Sequence, residues 1–545
     1  MSNEHDGVTT TSAPGRENTV NTQTQPPHAR EASRAAAQAR SNRSSTELVI
    51  PEHWSRYLVA PRPQGWLHGT APLVGSQDLF TFLDEDSDAL VLDRITAPST
   101  RTISGDRLSS SIAVVAMPAS RACALASNPQ IIVEHDQPLL HAGIAGHTAL
   151  TIADPSMAPL LDASAEVDVR VLGANAVPVV AAHVWAVGIH GVTHAVTDRE
   201  GRARLKLAAD APTTIRTLHI RPVKGYWPLR LEWPFLTGEA NATFTLLPLS
   251  NTIRDFPDEP MTGWGVRAMR LDRLPTDRRG EKIRIALLDG GINASHPDLK
   301  DTVTHGLDLT TETESDTWDM DATGRGTWCA GVIAAADNGT GVMGIAPEAQ
   351  LHSLKLFPGG RMSDLLRALD HCVAERIDIA QINVSYTEAS RLMECKILEA
   401  TAAGVVTIAP CGDNPTTLSH VATLPSVLAV GALSRSVAGI HPAPYSPYRP
   451  GIDLYAPGSS IVTTGHLGDY CAADGTALAA AHITALTAML LAHHQPLRSH
   501  ITPLTRTQHL HHILQSATLP RDLYHEGTPR LPDAPTALNI HIPVP

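Results

Sequence analysis

From Ile283 onward the chain is written in continuous apolar runs: IRIALLD, LHSLKLF, DIAQINVS, GVVTIAP and SVLAVGAL. Segments of helical period, such as MSDLLRALDHCVAER, separate them. Strands with no polar alternation are buried on both faces, and helices between them provide the cover, so the pattern predicts a parallel sheet in an α/β domain. Ligands of such sheets bind beyond the carboxyl ends of the strands. Asp289, Ser385 and Gly412 fall there.

The earlier chain reads differently. RYLVAP, DALVLDRI, SIAVVAM and QIIVEHD alternate as strands, with PASRACALASNP helical between the last two. A small α+β domain over about 48–145 follows. Residues 146–163 form a connection. Short alternating strands then run to about 250, punctuated by GAN and DREG, both turn signals. They predict a β-sandwich with an immunoglobulin-like outline over 160–250. The first 47 residues are polar and rich in Ser, Thr, Gln, Ala and Arg, which predicts a disordered tail. The α/β domain is bounded at 265–520, and 521–545 is a C-terminal extension.

Composition narrows the partners. The chain of 545 residues carries a formal net charge of −13 and shows no basic cluster, which argues against nucleic acid. No polybasic amphipathic segment argues for a membrane surface, and no run reaches the roughly 18 apolar residues of a span. The N-terminus lacks the apolar core of a secretory signal. Six cysteines (Cys123, Cys329, Cys372, Cys395, Cys411, Cys471) show neither a C-x-x-C pair nor metal-ligand spacing. Together these predict a cytoplasmic protein with reduced thiols; one local disulfide stays open.

Four segments resemble the subtilases, the subtilisin-like serine peptidases. IALLDGGINASHPDL resembles the strand and turn of their catalytic aspartate, placing it at Asp289. GRGTWCAGVIAAADNGTGVMGIAPEAQL resembles the helix that begins His-Gly-Thr-His in active members. GVVTIAPCGDNP resembles the strand ending in Gly-Asn, whose asparagine serves the oxyanion hole. DGTALAAAHITA resembles the approach to the nucleophile, Gly-Thr-Ser-Met-Ala-Xaa-Pro-His. The order is that of the subtilisins, with 36 residues from Asp289 to Arg325 and 152 from Arg325 to Ala477. The resemblance implies a subtilisin-like parallel sheet flanked by helices. It also makes 48–145 propeptide-like, with the sandwich an insertion.

Carried over residue by residue, the chemistry is incomplete. Asp289 keeps its place, but Arg325 occupies the histidine position and stays protonated, so it cannot act as a general base. Ala477 stands for the serine and has no nucleophilic atom; Thr476 and Ser446 are near in sequence but not at the presenting position. Asp413 replaces the oxyanion asparagine, and an ionised carboxylate only accepts hydrogen bonds. A one-residue shift would put Asn414 there at the expense of the Gly412 match. The substrate strand, Ser-Leu-Gly-Gly in active members, is Ser385-Tyr386-Thr387-Glu388. In subtilisin, loss of serine or histidine costs on the order of 10⁶ in rate, and loss of the oxyanion donor ~10²–10³.

Three expectations follow for neighbouring residues. Arg325 forms a salt bridge with Asp289 and reaches Asp413. Trp328, at the second histidine of the pattern, and His482 are packing residues. Cys329 is an inert buried thiol. The resemblance, with its missing groups, implies a pseudopeptidase that binds a peptide or protein, an active peptidase being one such partner. The alternatives are a serine endopeptidase with rearranged catalytic groups, and an adhesive module whose sandwich carries the function. No cofactor or metal site is predicted, and structural calcium stays open.

Overall fold

The computed structural model of the chain describes residues 50–62, 74–96, 111–141, 165–207, 210–236, 242–310, 317–494, 497, 502–518 and 530–540. The chain divides into two compact units, Met1–Pro51 and Glu52–Pro545. The predicted tail at 1–47 and the connection at 146–163 lie outside the described residues.

The second unit opens with an antiparallel sheet of β1 (Ser55–Pro61), β2 (Leu90–Ile95), β3 (Ile112–Met117) and β4 (Ile131–His135), in the order β2-β3-β1-β4. Strand β3 is buried at every position because its two faces serve different cores. Ala113, Val115 and Met117 pack against helices α1 (Ser76–Glu85) and α2 (Ala119–Ala126). Ile112 and Val114 share a core with helices of the C-terminal half. A further two-residue strand, β5 (Leu140–His141), follows.

Two sheets come next. Strands β6 (Ala165–Leu172), β9 (Arg202–Leu207) and β12 (Ala242–Thr245) form one, in the order β12-β6-β9. Strands β7 (His183–Val187), β8 (Val192–Val196), β10 (Thr217–Arg221) and β11 (Leu229–Glu232) form the other, in the order β11-β10-β7-β8. Alternate residues of both, including Val167, Val169, Leu205, Val184, Leu218 and Ile220, fill a single core between them.

The C-terminal half is built on an eight-stranded sheet. Strands β13 (Arg284–Asp289), β14 (Val303–Asp308), β15 (Gln350–Lys355), β16 (Ile379–Ile382), β18 (Val406–Pro410) and β19 (Val427–Ser436) run parallel in the order β14-β15-β13-β16-β18-β19. Strands β20 (Gly439–Pro442) and β21 (Leu454–Pro457) both pair with β19. Along β13, Ile285 and Leu287 face helices α3 (Arg325–Ala334) and α6 (Thr476–His493), whereas Ala286 and Leu288 face α4 (Met362–Ala374) and α5 (Arg391–Ala402). Helix α6 has the length and hydropathy of a membrane span, but its residues from Thr476 to Leu491 are buried in this core. Leu531, Ala534 and Ala537 join the same core, so the described part of the C-terminal extension packs into it. Arg270 holds this segment by two bonds to Asp533, of 2.6 and 2.8 Å.

Candidate functional site

Strand β13 ends at Asp289, and the chain turns away through Gly290 and Gly291. Gly326, the second residue of α3, meets this turn so closely that an added Cβ would stand 2.0 Å from the Gly291 carbonyl. Only glycine permits the contact, and the contact carries Arg325 to the end of β13. Asp321 fixes the helix start, accepting from the N–H groups of Gly324 (2.8 Å) and Thr327 (2.9 Å) and from the Thr327 hydroxyl (2.7 Å).

Asp289 is fully buried and accepts from its neighbour's Gly290 N–H at 2.7 Å and from Asn383 Nδ2 at 2.8 Å. Burial pushes its carboxyl up to about 6, against the pull of Arg325 and with the help of Asp321. The expected salt bridge is not formed: among the described residues no carboxylate oxygen lies within 4.0 Å of the Arg325 guanidinium. Arg325 acts on both Asp289 and Asp413 through space. Both acids are already bonded to uncharged donors.

Ala477 sits in the first turn of α6, buried, presenting a methyl group. Its carbonyl accepts from Gln381 Nε2 (3.1 Å) and from the Cys329 thiol (3.5 Å). Gln381 also donates to Asn383 Oδ1 at 2.9 Å and accepts from the Thr484 hydroxyl at 2.8 Å. A buried chain of amides therefore joins the Asp289 and Ala477 positions. The sequence reading passed over Gln381 and Asn383, although their alternate placement in the apolar run DIAQINVS was a signal. Burial and the neighbouring Asp289 carboxylate push the Cys329 thiol far above its ordinary range, which keeps it un-ionised.

Asp413 accepts the N–H and the hydroxyl of Thr476, each at 2.7 Å, and so caps α6. Its carboxyl is raised by burial and eased by Arg325 and these bonds. His482 is buried in α6, its Nδ1–H bonded to the Leu478 carbonyl at 2.8 Å, and burial lowers it to about 4. Trp328 is buried in the α3 core. Among the described residues no serine hydroxyl bonds a histidine ring, and no group of three His, Cys, Asp or Glu side chains is placed to hold a metal.

Ser385 closes β17 (Val384–Ser385), which pairs antiparallel with β5: Val384 opposite His141, Ser385 opposite Leu140. The chain just after the N-terminal sheet thus lays a strand along β17. Gln137 locks it, accepting from the Thr387 N–H (3.0 Å), Thr387 hydroxyl (3.0 Å) and Glu388 N–H (2.8 Å) while donating to the Glu388 carbonyl (2.8 Å). Tyr386 turns into the core and stacks on His420, so it does not line the cleft. Gly412 takes a positive φ of 100° where β18 turns towards Asp413. His141 stacks on Phe357 at 3.8 Å, and burial together with Arg325 lowers it to about 3.

Strand β10 forms the opposite wall. Arg221 inserts its guanidinium between the rings of Trp185 (4.9 Å) and Trp328 (5.0 Å), and His219 Nε2 lies 3.7 Å from Asp474. Thr217, His219 and Arg221 share one face of that strand, a polar stripe visible in RTLHIRPV that sequence reasoning left unused.

Among solved structures, the S41 psychrophilic protease is similar at a TM-score of 0.42 and 26% identity, covering 48% of this chain and 92% of that one. Subtilisin NAT of Bacillus subtilis subsp. natto is 30% identical over 223 residues, 39% of this chain; the chain spans only 57% of that relative's length. Subtilisin DY of Bacillus licheniformis is 27% identical over 237 residues, covering 42% and 84%. The intracellular serine protease of Paenibacillus polymyxa is 28% identical over 236 residues, covering 42% and 72%. Residues 280–533 match the Subtilase family. Over residues 280–533, therefore, just under half of its length, this chain is similar to the subtilase family.

Proposed function

We propose that the chain is a pseudopeptidase: a subtilase fold that binds a peptide or protein without hydrolysing it. The observation that carries this reading is the buried methyl of Ala477 at the start of α6, where active relatives present a serine. Arg325 in the histidine position supports it, because a guanidinium cannot take a proton from a nucleophile. Asp413 supports it too, since an acceptor-only carboxylate opposes a developing oxyanion. The rearranged-endopeptidase alternative lacks a serine–imidazole bond among the described residues.

The first domain acts as a propeptide-like module that stays attached and holds the cleft edge through β5. The immunoglobulin-like sandwich acts as a second wall. The partner is a peptide or protein, an active peptidase being the candidate, in a reducing cytoplasm consistent with six free thiols.

The test uses the full chain with a quenched-fluorescent peptide library, a fluorophosphonate probe and intact mass. No turnover, no labelling and a full-length chain are expected. Cleavage that disappears in Asp289→Ala would overturn the reading.

A further inference from the structure

Among the described residues, two cations in the cleft have no counter-charge in contact. Arg325 is half-buried at the start of α3, and Arg221 reaches towards the same helix from β10. Neither guanidinium donates a hydrogen bond to any described residue, nor lies within 4.0 Å of a described carboxylate. The faces of Arg221 are covered by Trp185 and Trp328. Its in-plane N–H fork remains for an acceptor.

The surrounding acids are engaged elsewhere. Asp413 caps α6, Asp321 caps α3, and Asp474 accepts the Ser460 N–H at 2.6 Å beside His219. The two arginines repel, and Arg325 is the strongest charge opposing the Arg221 cation. Next to them, the Trp328 Nε1–H and His466 Nδ1 are buried with no partner among the described residues. Both line the start of α3: a Cβ on Gly324 would meet His466 Nδ1 at 2.7 Å and the Trp328 ring at 3.1 Å. A buried N–H without an acceptor is costly and rarely left so.

We infer that the cleft binds an oxyanion between Arg221 and Arg325, with the Trp328 indole N–H as a third donor. The peptide carboxylate is the favoured source. A chain that follows the path of β5 along β17 arrives at His141, within electrostatic reach of Arg325. An acidic group at the end of that path meets the paired guanidinium groups. The inference rests on the binding reading of the cleft and names what the cleft recognises.

Calorimetric titration of the full chain tests it, with three probes in chloride of matched ionic strength. These are an N-acetylated tripeptide with a free carboxylate, the same tripeptide as its amide, and inorganic phosphate. At least one anion binds and the amide does not; a stronger peptide response names the carboxylate, a stronger phosphate response names phosphate. Arg325→Gln and Arg221→Gln each weaken binding by roughly 10- to 100-fold, as expected for loss of a charge-assisted bond. Arg221→Lys keeps the charge and guards against misfolding of the Gln variant. No heat from either anion, or binding unchanged in both Gln variants, overturns the inference. Library hydrolysis is a separate readout: turnover removes the pseudopeptidase reading, whereas an inert chain that ignores anions removes only this site.

Discussion

The carboxylate of Asp413 accepts both the backbone N–H and the hydroxyl of Thr476, each at 2.7 Å. Asp413 thus caps, from a distant loop, the first residue of helix α6, directly before Ala477. An anion there is also favoured by the helix dipole. Asp413→Ala removes both bonds and costs about 1–3 kcal/mol. Asp413→Asn keeps an acceptor and stays within about 1 kcal/mol of the parent. Guanidinium chloride unfolding distinguishes them; equal losses would refute the capping role.

On the proposed pseudopeptidase reading, a hydroxyl at position 477 does not by itself supply chemistry. Ala477→Ser adds a nucleophile with no base, because Arg325 remains protonated. It should stay unlabelled by fluorophosphonate. Ala477→Ser with Arg325→His and Asp413→Asn should label, with a gain of at least ~10³ in labelling rate, since serine, imidazole and oxyanion donor act as a unit. Labelling of the single variant at the same rate would show that the missing imidazole is irrelevant.

Acid should loosen the strand pairing at the cleft. His141 is depressed to about 3 when docked, against 6.5 when free. A depressed base favours docking fully above the free value and loses that contribution as pH falls from 6.5 towards 3. At pH 5 detachment gains roughly 30-fold over pH 7.5. Hydrogen exchange of the β5 and β17 amides measures it, and His141→Phe should flatten the dependence.

Asp289 contributes a slope of opposite sign. Its carboxyl rises to about 6 in the fold from 3.8, so the folded state holds a proton that the unfolded state has released. Stability falls as pH rises from about 4 to about 6, by about 2–4 kcal/mol in total. Asp289→Asn removes that fall, while its amide keeps only one of the two accepted bonds. Asp370, also pushed to about 6 by burial beside Lys396, supplies a remaining slope. Parallel pH–stability curves for parent and variant would contradict the burial argument.

The first domain is held by three acceptors at helix and strand ends. Glu134 accepts from the Ser390 hydroxyl (2.6 Å) and Arg391 N–H (2.7 Å), Asp136 from the Ser363 N–H (2.9 Å), and Gln137 from the Thr387–Glu388 turn. Glu134→Ala with Asp136→Ala removes their bonds to the first turns of α4 and α5, whose own caps at Asp364 and Ser390 remain, and should cost about 2–4 kcal/mol of docking. Hydrogen exchange of the Ser363, Thr387 and Arg391 amides should accelerate accordingly; unchanged exchange would assign the docking to the apolar face alone.

The parallel sheet was legible because most of its strands are largely apolar runs, and short motifs in order and spacing pointed to Asp289, Asp413 and Ala477 as neighbours of one cleft. Helix Ser76–Glu85 was passed over: its apolar face is only Leu79, Phe80 and Leu83, within ten residues. The polar clamps were hidden for another reason. Gln137 meets Thr387 across 250 residues and Arg221 meets Trp328 across more than a hundred, and single polar residues carry no periodicity that announces a distant partner. The Asp289–Arg325 bridge failed because Asn383 and the Gly290 amide already satisfy the acid.

The pairing of β5 with β17 has a kinetic meaning as well. Leu140 and His141 are tethered to the cleft they occupy, so they rebind as a first-order event, at an effective concentration on the order of millimolar. A peptide arriving from solution along that edge must outcompete this local supply, and its capture rate is limited by how often the tethered strand opens. A partner that also grips the first domain would draw that strand away as it binds. Occupancy would then depend on two simultaneous contacts, and the cleft would stay closed to free peptides that offer only one.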